Sequence, residues 1–600
     1  MKRALLAVAL VAACALHAAE RPALVVVVSV DQFRYDLPER FRPYFSKGGL
    51  QRFYTSGATF PNAFYRHGIT FTGPGHAAIG TGGLPSEHGI VGNTWFERDA
   101  AVDLAKWEWY FDDIVPYRPP GVKYTPFVGE GDWWWKEGGS PRYCVYDENV
   151  QPTAGTTRGM SPTSLSEDSL GDRVKARYPN ARVMSVAFKD RAAILMGGRR
   201  ADAVYWFDQK VGFISSTYYR YNPAVFTFNQ LIDGYLPASK EWRLSPFIPP
   251  AEMPRVTFDP PEAWPLKNTK YGGTFPHAIP DVRGLTYSGL GHELLLDFAL
   301  HVIATEQLGT RADAPDVLYV GVSSTDYLGH YYGPDSMEVA DSTVRLDRAL
   351  ERFFDALEHR FGDRVVVALT ADHGVQENPS IVKLRDPNAD VGRVDIRTPD
   401  PKAQSIADLP PLRIEIERRL AAKLGVRFDD KGPLRDALVY FFEEPALFLN
   451  WRRVAELGLD GERVKRALRD VIVSLRSEGF ANAWTNTEMI TPNARASRDE
   501  QLMRASYRSD RGGDVLMALR PGWIWYWGSN STTHGQPVDN DLHVPLMLYG
   551  AGIKPGRYET DASPVDLAPT LGTLLGVDAG GRAAHVLPCV EPRVYPSATP

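Results

Sequence analysis

Short β-branched and apolar runs that alternate with helical patterns constrain the fold of this 600-residue chain more than any other feature. Five runs have the length and composition of buried parallel strands, and three segments have the period of helices. The strand-like runs are 24–30, 182–188, 317–322, 365–370 and 544–549, and the helical segments are 291–307, 337–361 and 565–575. Strands that alternate with helices predict an α/β fold with a largely parallel central sheet flanked by helices.

Polar residues that can bind ions follow the ends of four of these runs. They are Asp31 after the first run, Lys189 and Arg191 after the second, Asp326 after the third, and Asp372 with His373 after the fourth. Ligands of parallel sheets bind beyond the carboxyl ends of the strands. We therefore expect these side chains to converge on one edge of the sheet.

The chain is longer than one compact core usually is, so we expect a large domain with insertions. The segment 101–146 is rich in aromatic residues, among them Trp133, Trp134 and Trp135, and 378–530 contains charged helical patterns. We predict a signal peptide at 1–19, a core formed by 20–377 and 531–600 with an aromatic insertion at 101–146, and an inserted cap region at 378–530.

The N-terminus has the pattern of an export signal. A short basic start precedes an apolar run and a small-residue cleavage zone. We expect a periplasmic or secreted protein, with a lipoprotein anchored through Cys14 as the alternative. No other run is long and apolar enough to span a membrane. Export would permit a disulfide between Cys144 and Cys589, although the sequence does not show that they meet.

Net charge limits the possible partners. The chain carries a net charge of −6 with an isoelectric point near 6.2, so no broad basic surface is available to attract nucleic acid. We expect a small-molecule ligand and a monomeric protein rather than a nucleic-acid complex.

Several carboxylates and imidazoles occur at spacings that suit metal ligands. Each motif is weak by itself, because a helix cap or a solvated loop explains it equally well. Together they supply enough ligands for two adjacent divalent cations, and mixed His and Asp ligation favours zinc over magnesium or calcium. The residues are Asp31, Asp326, His330, Asp372, His373 and His534.

Thr72 is the candidate nucleophile. It precedes Gly-Pro-Gly-His and an apolar run that predicts a helix. A hydroxyl at a helix N-terminus lies beside positive backbone N–H groups, where phosphate binds readily. The alternative is that Thr72 is an ordinary N-cap.

These motifs resemble the alkaline phosphatase superfamily, and within it the type I phosphodiesterase/nucleotide pyrophosphatase family, especially its secreted bacterial alkaline phosphatases with a threonine nucleophile. They occur in family order over nearly the whole mature chain. The matching stretches are Val-Ser-Val-Asp31-Gln, Thr72-Gly-Pro-Gly-His76, Pro-Ser-Glu-His-Gly-Ile-Val-Gly-Asn93, Phe-Lys189-Asp-Arg191-Ala-Ala-Ile-Leu, Ser-Ser-Thr-Asp326-Tyr-Leu-Gly-His330, Thr-Ala-Asp372-His373-Gly and Thr-Thr-His534-Gly.

The resemblance implies a role for each residue. One zinc would be bound by Asp326, His330 and His534, and the other by Asp31, Asp372, His373 and Thr72. Asn93 would bind a phosphate oxygen, and Lys189 with Arg191 would form the monoesterase pair of the family. A monoester carries one more negative charge than a diester, so two cations aimed at the extra oxygen favour monoesters.

The resemblance thus predicts an exported zinc-dependent alkaline phosphatase that hydrolyses phosphate monoesters through a phospho-threonine. The alternatives are a phosphodiesterase or nucleotide pyrophosphatase on the same scaffold and a non-catalytic zinc- or phosphate-binding protein. A sulfatase is disfavoured because Thr72 stands where a convertible Cys or Ser is required. The insertion at 101–146 is longer and more aromatic than expected; it either forms a lid beside the leaving group or packs on its own core.

Overall fold

The structure is a computed structural model that describes residues 21–98, 139–155, 158–267, 272–397, 403, 405–526, 528 and 530–591. The N-terminal segment with Cys14 and most of the aromatic insertion, including Trp133, Trp134 and Trp135, lie outside the described residues. Among the helices that the structure describes, none is both long and apolar enough to cross a membrane.

The strands of the described chain include long central ones and several short pairs. In chain order they are β1 (Leu24–Val30), β2 (Ala58–Thr59), β3 (Thr94–Glu97), β4 (Ser140–Tyr143), β5 (Val183–Ala187), β6 (Ala203–Asp208), β7 (Gly212–Ile214), β8 (Glu241–Trp242), β9 (His277–Ala278), β10 (Asp316–Val322), β11 (Val365–Thr370), β12 (Gly392–Val394), β13 (Val439–Glu443), β14 (Ala446–Leu449), β15 (Phe480–Thr485), β16 (Val515–Leu519), β17 (Trp523–Trp525), β18 (Leu546–Gly550) and β19 (Gly556–Arg557).

The α-helices connect these strands and cover both faces of the main sheet. They are α1 (Asp36–Phe41), α2 (Gln51–Ser56), α3 (Thr72–Thr81), α4 (Pro85–His88), α5 (Leu170–Arg177), α6 (Asp190–Gly197), α7 (Met253–Val256), α8 (Val282–Thr286), α9 (Gly291–Thr305), α10 (Ser324–Tyr332), α11 (Met337–Phe361), α12 (Pro379–Arg385), α13 (Pro411–Leu424), α14 (Trp451–Glu456), α15 (Gly461–Ser474), α16 (Asn486–Ile490), α17 (Arg498–Ser506), α18 (Asp539–Leu542) and α19 (Leu567–Leu575).

A nine-stranded sheet organises the molecule, in the order β19-β2-β18-β11-β1-β10-β5-β6-β7. The five strands β11, β1, β10, β5 and β6 are parallel to one another. The predicted α/β class with a largely parallel sheet is confirmed. One strand differs from the prediction, because β18 pairs antiparallel with β11. A run of buried residues reports that a strand is covered on both faces, but it carries no information about strand direction.

Two hydrophobic layers enclose this sheet, because successive side chains of a strand point to opposite faces. Val25 and Val27 of β1 pack into one layer. Val26 and Val28 pack into the other, against the long helix α11 and its neighbours. This burial explains why the central runs read as continuous β-branched sequence.

The segment 378–530 contains its own sheet and its own apolar cluster. Strands β13, β14, β16 and β15 form a four-stranded sheet, and α13 and α15 pack with it around a separate set of buried residues. A second small pair joins β12 to β17 in parallel. The end of β13 reaches the edge of the main sheet where the candidate site lies, since Glu443 lines the same cavity as Thr72.

Candidate active site

The carboxyl ends of the central strands are in register, and this brings the predicted polar residues together. Ser29 of β1 lies opposite Gly321 of β10 on one side and Thr370 of β11 on the other. The chain leaves each strand within two residues of these positions. Asp31, Lys189, Asp326 and Asp372 therefore follow strands that end at the same edge.

The first group of candidate metal ligands consists of Asp31, Asp372 and His373, all fully buried. Nε2 of His373 lies 3.2 Å from Oδ2 of Asp372 and 3.6 Å from Oδ1 of Asp31. Within the described residues, Oδ1 of Asp31, Oδ2 of Asp372 and Nε2 of His373 make no hydrogen bond. Buried polar atoms without partners are costly, so three of them aimed at one place fit a bound cation.

The second group consists of Asp326, His330 and His534. Asp326 and His330 lie one turn apart on α10, with His330 Nε2 3.3 Å from Asp326 Oδ1. Nε2 of His534, from the loop before α18, lies 3.6 Å from the same oxygen. The two histidines of this group thus lie around one carboxylate oxygen, Oδ1 of Asp326.

The three histidine rings are oriented by backbone carbonyls. Nδ1 of His330 contacts the carbonyl of Thr532 at 2.8 Å, and Nδ1 of His373 contacts that of Gly374 at 2.9 Å. Nδ1 of His534 contacts the carbonyl of Thr70 at 2.7 Å. A carbonyl accepts only from a protonated Nδ1, so each ring presents Nε2 to the site.

The two ligand groups adjoin each other rather than standing apart. The rings of His373 and His534 stack with centroids 3.5 Å apart. Potential ligand atoms also cluster as Asp326 with His373 and His534, and as Asp31 with His76 and Asp372. The structure thus brings the six predicted Asp and His ligands together, and His373 lies between the two groups.

His76 is a site residue that the ligand prediction did not include. It lies one turn after Thr72 on α3 and is fully buried. Its Nδ1 contacts the carbonyl of Thr72 at 2.9 Å and lies 3.2 Å from Oδ2 of Asp372. The i, i+4 spacing from Thr72 was the available signal, because residues four apart share a helix face.

Thr72 is the first residue of α3, and its hydroxyl faces two cations. Nζ of Lys189 and Nη2 of Arg191 each lie 3.4 Å from Oγ1 of Thr72. Phe71, not Thr72, occupies the N-cap position, so the N-cap alternative for this threonine is wrong. Helix α3 lies close to the backbone of Asp372 because Gly75 has no side chain. A Cβ at Gly75 would lie 2.2 Å from the carbonyl oxygen of Asp372.

Asn93 lies beside the first turn of the same helix. Its Oδ1 accepts a hydrogen bond from the backbone N–H of Gly73 at 2.7 Å. The side-chain amide nitrogen is then the group that can donate to a ligand. Asn93 and Thr72 line the same cavity.

Three buried carboxylates, those of Asp31, Asp326 and Asp372, dominate the electrostatics of the site. Burial and the neighbouring Asp372 raise the pKa of Asp31 to about 7, although Lys189 opposes the shift. Burial disfavours a charged Lys189, yet Asp31 and Asp326 hold the pKa of Lys189 above its usual value. Its Nζ lies 2.7 Å from Asp31 and 2.6 Å from Asp326. A site of this charge favours cations.

The cavity above these groups has a volume of about 320 Å³. Its walls include residues to which the sequence analysis assigned no role, contributed by several parts of the chain. These are Thr94, Tyr143, Tyr287, Tyr327, Tyr331, Glu443, Glu444, Asn530 and Thr533. Tyr287 and Tyr327 stack at 4.2 Å and form an aromatic wall beside Lys189.

Cys144 and Cys589 are both buried and form no disulfide within the described chain. Burial raises the pKa of the Cys144 thiol well above its ordinary value. The permitted disulfide is therefore absent between these two residues.

A solved structure with the same architecture indicates the class of enzyme to which this protein belongs. The crystal structure of wild-type alkaline phosphatase PafA aligns with a TM-score of 0.74 at 26% sequence identity, covering 93% of this chain and 97% of that chain. With the buried Asp and His groups at the sheet edge, this likeness defines an enzyme of the alkaline phosphatase superfamily.

Sequence comparison narrows the assignment. A family model described as type I phosphodiesterase / nucleotide pyrophosphatase matches residues 25–537. Alkaline phosphatase PhoK of a Sphingomonas species is 30% identical over 571 residues, 93% of this chain and 89% of the relative. Alkaline phosphatase PhoV of Synechococcus elongatus is 28% identical over 574 residues, 93% of this chain and 90% of the relative. The chain belongs to the type I phosphodiesterase/nucleotide pyrophosphatase family, as its motifs predicted.

Proposed function

We propose that this protein is an alkaline phosphatase that hydrolyses small phosphate monoesters through a covalent phospho-threonine at Thr72. The observation that carries the proposal is the hydroxyl of Thr72, which lies 3.4 Å from both Lys189 and Arg191 at a helix N-terminus. The relatives PhoK and PhoV are named alkaline phosphatases, which supports the same conclusion.

Two zinc ions are the cofactors that we propose. Asp326, His330 and His534 would hold one, and Asp31, Asp372 and His373 with Thr72 would hold the other. The partnerless buried atoms and the Nε2 atoms described above fit this role. When bound, such ions supply Lewis-acid stabilisation of the anionic oxygens on both sides of the phosphorus.

Thr72 acts in two in-line displacements. Its Oγ1 forms a bond to phosphorus as the bond to the leaving oxygen breaks, and the alcohol is released. A water molecule then attacks the phosphorus of phospho-threonine, which frees phosphate and restores the hydroxyl. The side-chain amide of Asn93, beside the first turn of α3, holds a phosphate oxygen in position.

Lys189 and Arg191 make the reaction selective for monoesters. Both cations flank the hydroxyl that attacks, so both lie near the non-bridging oxygens of a phosphate bound there. A monoester dianion gains two charge-assisted contacts, whereas a diester places an uncharged substituent against one of them. We therefore assign Lys189 and Arg191 to discrimination between substrates as well as to transition-state stabilisation.

The proposal also covers an export signal and an inserted cap region. We propose that 1–19 directs export to the periplasm or the exterior, and that 378–530 is a cap inserted in a core formed by 20–377 and 531–600. The position of Glu443 in the cavity supports a cap that completes the site. The lid hypothesis for 101–146 stays a prediction, because most of that insertion lies outside the described residues.

The test compares hydrolysis of an aryl phosphate with that of a bis-aryl phosphate by the zinc-loaded protein. We expect a higher kcat/KM for the monoester, loss of activity on chelation and recovery with zinc. Thr72→Ala should lose about three orders of magnitude or more in kcat and should form no phosphorylated protein in an acid quench. Thr81→Ala on the same helix is the matched control, because the Thr81 hydroxyl bonds the carbonyl of Ala77 away from the cavity.

Other outcomes would favour other functions. A faster diester reaction would indicate the phosphodiesterase that the family description also covers. Equally slow phosphate release by wild type and Thr72→Ala would indicate a non-catalytic binding protein.

A further inference from the structure

The guanidinium of Arg191 makes few contacts for a group that must meet a substrate at a fixed place. Nη2 of Arg191 lies 3.4 Å from Thr72, and Nη1 donates to the phenol oxygen of Tyr143 at 3.2 Å. Within the described residues, Nε of Arg191 makes no hydrogen bond. Apart from Thr72, Tyr143 is thus the side chain of the described chain that orients this cation by hydrogen bonding.

The hydroxyl of Tyr143 is itself held by a carboxylate. It donates to Oδ1 of Asp190 at 2.6 Å. Burial and the nearby Asp190 raise the pKa of Tyr143 well above its ordinary value, so the phenol keeps its proton. Because that proton is directed to Asp190, a lone pair of the phenol oxygen remains to accept from Arg191.

Asp190 is anchored by the backbone. It is the first residue of α6, and its Oδ1 also accepts from the backbone N–H of Arg191 at 2.6 Å. A carboxylate at a helix N-terminus is favourably placed. The chain from Asp190 through Tyr143 to Arg191 therefore begins at a fixed point, and a donor bonded to an anion becomes a stronger acceptor.

The strand pair β3–β4 links Tyr143 to the other side of the phosphate position. Tyr143 lies opposite Thr94 in this antiparallel pair, and the backbone N–H of Cys144 bonds the carbonyl of Asn93 at 2.9 Å. Asn93 and Tyr143 are thus held by the same hydrogen-bonded pair, and both line the cavity.

We propose that Tyr143, held by Asp190, is a positioning residue that fixes the Arg191 guanidinium against the phosphate dianion and so sets the preference for monoesters. The inference rests on the proposed function and adds to it a residue that acts through Arg191. Nothing in the family motifs includes Tyr143, which lies in the last part of the aromatic insertion.

The test uses Tyr143→Phe, which removes one oxygen from the zinc-loaded protein. We expect kcat/KM for the aryl phosphate to fall about tenfold or more, the loss of one hydrogen bond to a charged group, with a much smaller fall for the bis-aryl phosphate. Inhibition by inorganic phosphate should weaken by a similar factor. Tyr178→Phe is the control, because that buried phenol donates to the carbonyl of Leu575 away from the cavity.

A double-mutant cycle separates positioning from a general loss of stability. In an Arg191→Ala background, Tyr143→Phe should leave the monoester-to-diester ratio nearly unchanged, since the group that it orients is gone. Asp190→Asn should lower the same ratio less than Tyr143→Phe does, and it provides the test if Tyr143→Phe does not fold.

The outcomes are distinguishable from failure of the proposed function. If wild type prefers monoesters but Tyr143→Phe keeps the wild-type ratio and phosphate inhibition, the positioning role is wrong and the phosphatase assignment stands. An equal fall on both substrates, or the same fall in the Arg191→Ala background, would likewise overturn it. If wild type shows no preference for monoesters, the proposed function fails first.

Discussion

Replacing Lys189 by methionine tests the charge arrangement of the site most directly. The change keeps an unbranched side chain that is one atom shorter and removes its charge. Lys189 is buried and lies 2.7 Å from Asp31, 2.6 Å from Asp326 and 3.4 Å from the Thr72 hydroxyl. The variant therefore removes one cation from the phosphate position and one counter-charge from two carboxylates.

The expected effect on catalysis follows from the energy of one charge-assisted hydrogen bond. Such a bond is worth about 1.5–3 kcal/mol, which corresponds to a fall of roughly 10- to 150-fold in kcat/KM for a monoester. A diester carries one charge fewer, so its kcat/KM should fall by less than about fivefold. The proposed role of Lys189 therefore predicts a fall in the ratio of the monoester kcat/KM to the diester kcat/KM.

The loss of a counter-charge has a separate cost. Leaving Asp31 and Asp326 without their shared lysine destabilises the metal-free protein by about 3–5 kcal/mol, since one partner of a buried pair is gone. Wild type and each variant are therefore assayed with saturating zinc, and the zinc content of each protein is measured. Lys175→Met is the matched control, because Lys175 forms its ion pair with Asp202 at 2.9 Å near the surface.

The reasoning would be refuted by one clear result. If Lys189→Met binds zinc as wild type does and loses the same factor on monoester and diester, the lysine does not discriminate between the substrates. No loss on either substrate would contradict its contact with the phosphate as well.

Two other predictions concern packing and pH. Gly75→Ala should lower Tm and abolish activity on both substrates, because the new Cβ would lie 2.2 Å from the carbonyl oxygen of Asp372. Gly234→Ala is the control and should change neither property, because its Cβ meets no atom within 4 Å. An active Gly75→Ala would contradict the prediction and show that α3 can shift freely. Burial lowers the pKa of His67 to about 3, so protonation of the unfolded chain destabilises the protein progressively as pH falls from about 6.5 towards 3. Urea unfolding with saturating zinc measures the free energy of unfolding at pH 7.5 and pH 5.5. Between these pH values, His67→Phe should lose about 1.4 kcal/mol less of this free energy than wild type, and equal losses would contradict the prediction.

The central strands could be predicted from the sequence because strands that are buried on both faces are continuous runs of apolar, β-branched residues. The bounds predicted for Leu24–Val30 and Val365–Thr370 match the structure to the residue, since a strand covered on both faces is apolar at most positions. Strand direction was not predictable for Leu546–Gly550, because direction depends on how the chain returns after a long excursion. The strand Ala203–Asp208, with its aromatic residues, was missed for lack of a β-branched run.

The candidate site was predictable to the extent that its residues follow strands or share a helix. Asp31 and Asp372 follow strands, and Asp326 with His330 occupies one turn of α10. His76 has the same relation to Thr72, but a Gly-Pro-Gly stretch separates the two residues, and glycine and proline are poor helix formers. Spacing alone identifies a candidate ligand only where the intervening residues favour a helix.

The remaining walls of the cavity could not be predicted, and the reason is their distance along the chain. Glu443 ends β13 in the region 378–530, yet it lies in the cavity with Thr72 and bonds the hydroxyl of Thr94. A lone carboxylate at a strand end is ordinarily solvated, so no local pattern distinguishes it. In the proposed reaction, residues at the sheet edge hold the phosphate, and a leaving group must extend away from them. We therefore expect the identity of the alcohol to be decided by these distant walls, and relatives that share every phosphate-binding motif to differ in the substrates that they prefer.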